Sequence, residues 1–280
     1  MPALPPPAIP SPARTALLTV IALIAFAGNS LLCRVALKQT GIDAASFTSV
    51  RLASGALVLA LLVLWRARGL SAGDAPTRPW HTGNWISALA LFVYAAGFSF
   101  AYLSLSAATG ALLLFGVVQT TMIGWGLWRG ERLRPLQWLG LIAASAGVAW
   151  AVYTLRGRAS GPSSGDATAV TAGNFLRATP LALGVSALLW TQARWDTPGL
   201  LLALASGALA SGLGYAVWYT ALRGLTATRA AILQLTVPAL ATAGGVLLLG
   251  EPLSAQLLGA SVAVLGGVAL VIAARAPARR

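Results

Sequence analysis

The sequence predicts an all-α integral membrane protein made of two repeated halves. Three observations carry that reading. The composition is too apolar for a soluble surface, apolar runs follow one another along nearly the whole chain, and a set of short matches recurs in one order. Of 280 residues, 58% are hydrophobic and 9% are charged, against about 25% charged in a soluble domain. So few charges cannot cover a water-facing surface. Lipid accepts apolar side chains, provided that the backbone satisfies its own polar groups.

The runs predict spans near 15–33, 44–65, 85–105, 107–128 and 136–154, then 175–191, 198–219, 229–249 and 254–274. A bilayer-crossing helix needs about 20 such residues. Unbroken apolar character, with no alternation of period two, selects helices over a barrel. Residues 1–14 form a proline-rich tail expected to be disordered. Ala25-Phe26-Ala27 would suit signal cleavage, but the run before it is longer than a usual signal core. A loop at 66–84 holds Arg66, Arg68, Asp74 and Arg78, and a polar, turn-rich break covers 156–174.

The net charge of +13 is almost all arginine, Lys38 being the only lysine. Nucleic-acid binding is the reflex reading of such a charge. It fails here because the arginines sit at the ends of apolar runs, where the positive-inside rule places them. The single cysteine, Cys33, excludes an intramolecular disulfide. His81, the one histidine, lies in a polar loop, so no metal or other cofactor is expected. There is no HExxH, no pair of mid-span carboxylates and no Ser–His set, which argues against an enzyme.

The repeat is visible in short stretches. Trp128-Arg129-Gly130-Glu131 precedes Leu136-Gln137-Trp138-Leu139-Gly140, as Leu249-Gly250-Glu251-Pro252 precedes Ala255-Gln256-Leu257-Leu258-Gly259. Ala108-Thr109-Gly110-Ala111 matches Ala227-Thr228-Arg229-Ala230, and Val50-Arg51-Leu52 matches Leu176-Arg177-Ala178. Repeated helical halves are the architecture of secondary transporters, with the solute site between the halves near mid-membrane.

Nine spans with a cytoplasmic N-terminus would leave Arg156, Arg158, Arg223, Arg275, Arg279 and Arg280 outside. One further crossing before residue 156 returns them to the cytoplasm and leaves only Arg34, Lys38 and Arg194 outside, with Arg51 and Arg177 at helix starts. The anomaly lies at 136–158. Gln137–Val148 matches the last span, whereas Ala149–Arg156 resembles the end of the first, Gly28–Arg34. One apolar stretch does the work of two helices, as though roughly 25 residues, a helix and a turn, were absent. The expected organisation is a tail 1–14, a first repeat 15–148, a second repeat 149–274 with its first helix truncated, and a cytoplasmic basic tail 275–280.

Several motifs together resemble the drug/metabolite transporter superfamily of EamA type. They are Gly28-Asn29-Ser30 with Arg34, Arg51-Leu52, Gly130-Glu131-Arg132-Leu133, Gly250-Glu251-Pro252-Leu253 and Trp218-Tyr219-Thr220-Ala221-Leu222. Within it the chain is most similar to the YddG-like amino-acid exporters of bacterial inner membranes. The resemblance implies two inverted repeats of five helices, a ten-span fold whose fifth and sixth helix region is shortened here. It also implies export of aromatic and other amino acids without ATP. The proline usual in the middle of the fourth span is replaced by Gln119-Thr120, while the ninth keeps Pro238.

A solute path needs polar or aromatic groups at membrane depth, where such groups turn toward the bundle interior. The candidates are Asn29; Tyr94, Phe98 and Tyr102 at four-residue spacing; Gln119 and Gln234 at matching positions; Trp150 and Tyr153; and Tyr215, Trp218 and Tyr219 on one helix face. Aromatic faces attract an ammonium, and amides hydrogen-bond to either end of an amino acid. Helix packing is the competing reading for each. Pro180 and Pro238 are hinge candidates, since each removes a helix bond. No carboxylate lies in mid-span, so facilitated exchange fits as well as proton coupling. The expected partners are a small-molecule solute and the bilayer, around a monomeric protein. A drug or other metabolite carrier, or a non-transporting membrane assembly protein, are the alternatives.

Overall fold

The computed structural model describes residues 10–68, 78–103, 166–225, 230, 233–234 and 236–252. Their regular structure is helical throughout. The long elements are α1 (Pro12–Gln39), α2 (Ala44–Ala67), α3 (Trp85–Ala101), α4 (Ala167–Leu188), α5 (Thr197–Leu222) and α6 (Thr236–Leu249). Short 3-10 turns at Pro79–His81 and Trp190–Gln192 flank α3 and α4. Three helices, α1, α2 and α5, are long and apolar enough to cross a membrane, while α3 and α6 are shorter apolar helices.

Side-chain caps start most of these helices, satisfying backbone N–H groups that have no partner within the helix. Ser11 Oγ accepts from the Arg14 N–H, with Pro12 in the first turn, so α1 begins inside the expected tail and continues to Gln39. Asp43 Oδ1 accepts from Ala45 and Ser46 N–H at 2.9 Å. Asn84 Oδ1 accepts from Ser87 N–H at 2.8 Å, Asp166 Oδ1 from Thr168 N–H at 3.0 Å, and Asp196 Oδ1 from Gly199 N–H at 3.2 Å.

The correction to the expected spans is at α4, which starts at Ala167 and not near 175. Its first two turns are polar in sequence, but those groups are bonded inside the bundle. Thr168 is buried, Thr171 Oγ1 meets the Tyr219 hydroxyl at 2.9 Å, and Asn174 Oδ1 accepts from the Asn84 N–H at 3.1 Å.

Interhelical bonds sort the helix termini into two ends. At the first end, Arg66 donates to Thr168 Oγ1 at 3.4 Å and Thr82 Oγ1 to the Ala169 carbonyl at 2.6 Å. At the second, the Asp43 N–H donates to the Arg194 carbonyl at 3.2 Å and the Gly41 N–H to Asp196 Oδ2 at 2.9 Å. There, too, Arg34 Nε pairs with Glu251 Oε1 at 3.0 Å and Arg34 Nη1 donates to the Tyr102 carbonyl at 3.1 Å. The helix α2 therefore runs from second end to first and α4 the opposite way. The pair α3 and α5 is likewise opposed. Helices α2 and α4 share a broad interface, with α3 on α4 and α5 on α2, an exchange that an inverted repeat produces, and α5 also packs broadly on α1. Helix α3 finishes at the second end and α4 starts at the first, so the two run in the same direction.

Charge separates with the ends. Among the described residues, Arg14, Arg66, Arg68, Arg78, Arg177 and Arg223 gather toward the first end with Asp166. Arg34, Lys38 and Arg194 share the second with Asp43, Asp196 and Glu251. Exposed tryptophans mark both ends, Trp65, Trp80 and Trp85 at one and Trp190 and Trp195 at the other, as interfacial aromatic belts do. Exposed leucine, isoleucine and valine on α1, α2, α3 and α5 lie between them.

Close approach of α2 and α5 depends on Gly55 and Gly207. A methyl group on Gly207 would collide with the Arg51 carbonyl and the Ser54 hydroxyl, and one on Gly55 would meet the Phe175 ring at 2.7 Å. Small residues at such crossings let helices pack without a hydrophobic drive from water. Next to this contact α5 widens into a π-helical stretch, Ala205–Leu213.

Candidate functional site

Three helices bring aromatic side chains toward one region. On α3, Tyr94, Phe98 and Tyr102 form a continuous stack, with ring centroids 5.9 and 4.6 Å apart. Four-residue spacing puts them on one face of the helix. Tyr94 is half-buried, Phe98 buried and Tyr102 fully buried. On α5, Tyr215 and Tyr219 stack with centroids 6.0 Å apart. Tyr215 also meets Phe26 of α1 at 5.4 Å and Phe175 of α4 at 6.2 Å. Tyr94 and Tyr215 both pack on the apolar cluster built from Leu52, Leu59, Phe175 and Ala216.

The charge at this region is Arg51 of α2. Its guanidinium carbon lies 5.0 Å from the Phe98 centroid and 6.0 Å from that of Tyr94. Arg51 is 4% exposed, and its Nη1 has no hydrogen-bond partner among the described residues. By sequence alone Arg51 reads as a helix-start residue. The signal that finds it is an arginine inside an apolar run with Phe47, Thr48, Ser54 and Gly55 three and four residues away, and so no acid on its own helix face.

The other predicted residues divide. Asn29 is buried, and its Oδ1 accepts from Ser206 Oγ at 2.7 Å, a bond that ties α1 to the π-helical stretch. Trp218 is buried against Ala22, Leu23 and Val237, with its ring edge-on to Phe26 at 6.0 Å, so it packs between α1 and α6. Gln234 is half-buried in a helical position ahead of α6. Pro238 is fully buried in α6, and Pro180 lies inside α4 with its ring exposed. Gln119, Trp150 and Tyr153 lie outside the described residues.

At the second end, Asp43 holds its carboxyl below the ordinary 3.8. Burial pushes the value up, but hydrogen bonds from Ser46, Arg194 and Ala45 outweigh it. Asp43 thereby links the α1–α2 turn to the α4–α5 turn.

Among the described residues, apolar outer faces, polar ends and an interior of rings around Arg51 suit a bundle that passes a solute. The EamA-like transporter family matches residues 141–273. The uncharacterized protein PA1977 of Pseudomonas aeruginosa is 52% identical over 286 aligned positions, covering 94% of this chain and 96% of that protein.

The chain belongs to the EamA-like transporter family.

It is a multi-pass transporter of the bacterial inner membrane, handling a small-molecule solute. The threonine/homoserine exporter RhtA of Escherichia coli is 33% identical over 134 residues, 47% of this chain and 45% of that protein. RhtA of Salmonella typhimurium is 34% identical over 113 residues, 40% and 38% of the two chains. The alignment with the Pseudomonas protein is longer than the part of this chain that it covers. It has 286 positions, and 94% of 280 residues is about 263, so about 23 positions of that relative face no residue here.

Proposed function

We propose that this transporter exports amino acids, aromatic and other neutral ones, by alternating access between its two halves. The observation that carries the reading is the ring-lined region between α3 and α5, closed by Arg51 and bordered by helices of both halves. Rings and a cation suit a zwitterion with a variable side chain. RhtA, an amino-acid exporter by name, supports the class of solute. Among the described residues every carboxylate sits at a helix end, which favours facilitated movement over a proton relay within them. Asn29, Tyr94, Phe98, Tyr102, Tyr215, Trp218, Tyr219 and Gln234 are proposed to line or support the path, with Pro180 and Pro238 as hinges.

The first end is assigned to the cytoplasm on its excess of arginine, which puts the N-terminus inside. The C-terminus is proposed to be inside as well, with halves at 15–148 and 149–274 and the second lacking most of its first helix. The about 23 positions absent relative to the Pseudomonas protein agree in size with that helix. The protein is proposed to act as a monomer. A carrier of drugs or other metabolites is the second reading, since ring faces also suit planar apolar cations.

Counterflow uptake of labelled amino acids into liposomes containing the purified protein tests the function. Saturable uptake of threonine or an aromatic amino acid supports it. No uptake of any amino acid by folded protein, with flux of a drug or other metabolite, replaces it by the second reading. A reporter fused after Arg280 tests the topology, and an extracytoplasmic signal would overturn it.

A further inference from the structure

We propose that Arg51 is the carboxylate-binding residue of the transport path, its guanidinium receiving the anionic group of the solute beside Tyr94 and Phe98. This deepens the amino-acid reading and rests on the protein being a carrier.

Arg51 is the eighth residue of α2, about 10 Å along the helix from its start at 1.5 Å per residue. A guanidinium is always charged and carries five N–H donors. The rings of Phe98 and Tyr94 lie over the guanidinium carbon at 5.0 and 6.0 Å and attract the charge without accepting an N–H in its plane. They leave the N–H edges unmet, and Nη1 is buried without an acceptor among the described residues. Arg177, its counterpart in the repeat, shows how an arginine at this depth is satisfied structurally. Its nitrogens donate to the carbonyls of Thr82, Gly173 and Trp80.

No described carboxylate is available to Arg51. Asp43, Asp166 and Asp196 cap helices, and Glu251 pairs with Arg34. The two other acids of the chain, Asp74 and Glu131, fall in loops by sequence. A buried cation without a counter-charge is costly, and the cost is recovered when an anion arrives. Planar, two-pronged donation makes arginine a specific partner for carboxylate. A guanidinium held against rings alone is therefore poised for a carboxylate brought from outside the protein.

The test compares acids with their amides. L-Threonine and L-phenylalanine are set against threoninamide and phenylalaninamide as competitors in proteoliposome counterflow, and as ligands raising the unfolding temperature of the purified protein. In the wild type the acids act at least tenfold better than the amides. Arg51→Gln abolishes that preference and Arg51→Lys keeps part of it. Without ligand, Arg51→Gln unfolds at the same temperature as the wild type or higher, because an unpaired buried charge has gone. Equal action of acid and amide on the wild type overturns the proposal. So does a folded Arg51→Gln protein that keeps the preference, or one that unfolds well below the wild type without ligand. If no amino acid moves or binds, the comparison is repeated with lactate and lactamide and with short aliphatic acids. An acid preference there, lost in Arg51→Gln, overturns the amino-acid reading and upholds this one. No stabilisation by any of these carboxylates overturns this one too.

Discussion

The helix pairs α2–α3 and α4–α5 are related by the repeat, yet they treat their polar and aromatic groups in opposite ways. In α4–α5, Arg177 is bonded to three backbone carbonyls, and the Tyr219 hydroxyl meets Thr171 Oγ1 at 2.9 Å. In α2–α3, the Arg51 guanidinium has its Nη1 buried without a hydrogen-bond partner among the described residues, and the Tyr94 hydroxyl makes no hydrogen bond to them. One half is anchored and the other holds unspent hydrogen-bonding capacity in the same low-dielectric setting. Groups of the first kind stabilise the fold. Groups of the second kind reduce stability until something binds them. The difference also separates two arginines with matching sequence surroundings. Arg177 is held toward the cation-rich first end by the 79–82 turn, whereas Arg51 is enclosed by α3.

Exchanging these roles is the sharpest way to break the comparison. Arg51→Gln is expected to lower transport of carboxylate solutes by about 100-fold, the loss of a charge-assisted bond worth about 3 kcal/mol, with thermal stability unchanged or raised. Kinetics in liposomes and an unfolding scan of the same preparation check both halves of that statement. Arg177→Gln is expected to do the reverse. It loses several carbonyl contacts and destabilises the protein by about 2 kcal/mol, while solute preference in the folded fraction is unchanged. A scan that moves the wrong variant would erase the distinction.

The tyrosines make the same contrast on a smaller scale. Tyr219→Phe removes a bonded hydroxyl and is expected to cost about 1 kcal/mol, measurable as a lowered unfolding temperature. Tyr94→Phe removes a hydroxyl with no bond in the described structure. It is expected to leave stability unchanged and to alter the apparent affinity for solute alone.

The smallest effect belongs to Asp43, which ties the two halves at the second end through the Arg194 N–H at 2.9 Å. Its folded pKa lies below 3.8, so its contribution is full above that value and is lost as pH falls through the folded pKa. Asp43→Asn should flatten the acid limb of a stability–pH curve below about pH 4 and leave the neutral region little changed. An unaltered acid limb would show that the tie between halves lies elsewhere.

Much of the architecture was legible in the sequence because the bilayer imposes it. Runs of apolar residues gave α1, α2, α3, α5 and α6 to within a turn or two, since length and hydropathy are set by membrane thickness. The start of α4 was not legible. Thr168, Thr171 and Asn174 read as loop, and only their partners on α2, α3 and α5 show that they are interior. Asn29 is buried, and its bond to Ser206, 177 residues away, could not be read locally. The aromatic spacing on α3 was plain, as periodicity always is. Arg51 was discounted because a helix-start arginine is ordinarily an interfacial one.

The sequence by itself determined that this chain spans a membrane as helices, that its halves repeat, and which end carries the arginine excess. Each follows from local solvation, and solvation is written residue by residue. Tertiary structure alone decided which polar groups find partners. Hydrogen bonds between residues 95 to 217 positions apart depend on how helices are laid together, and of two arginines in similar sequence settings one reaches three backbone carbonyls while the other buries Nη1 without a partner among the described residues.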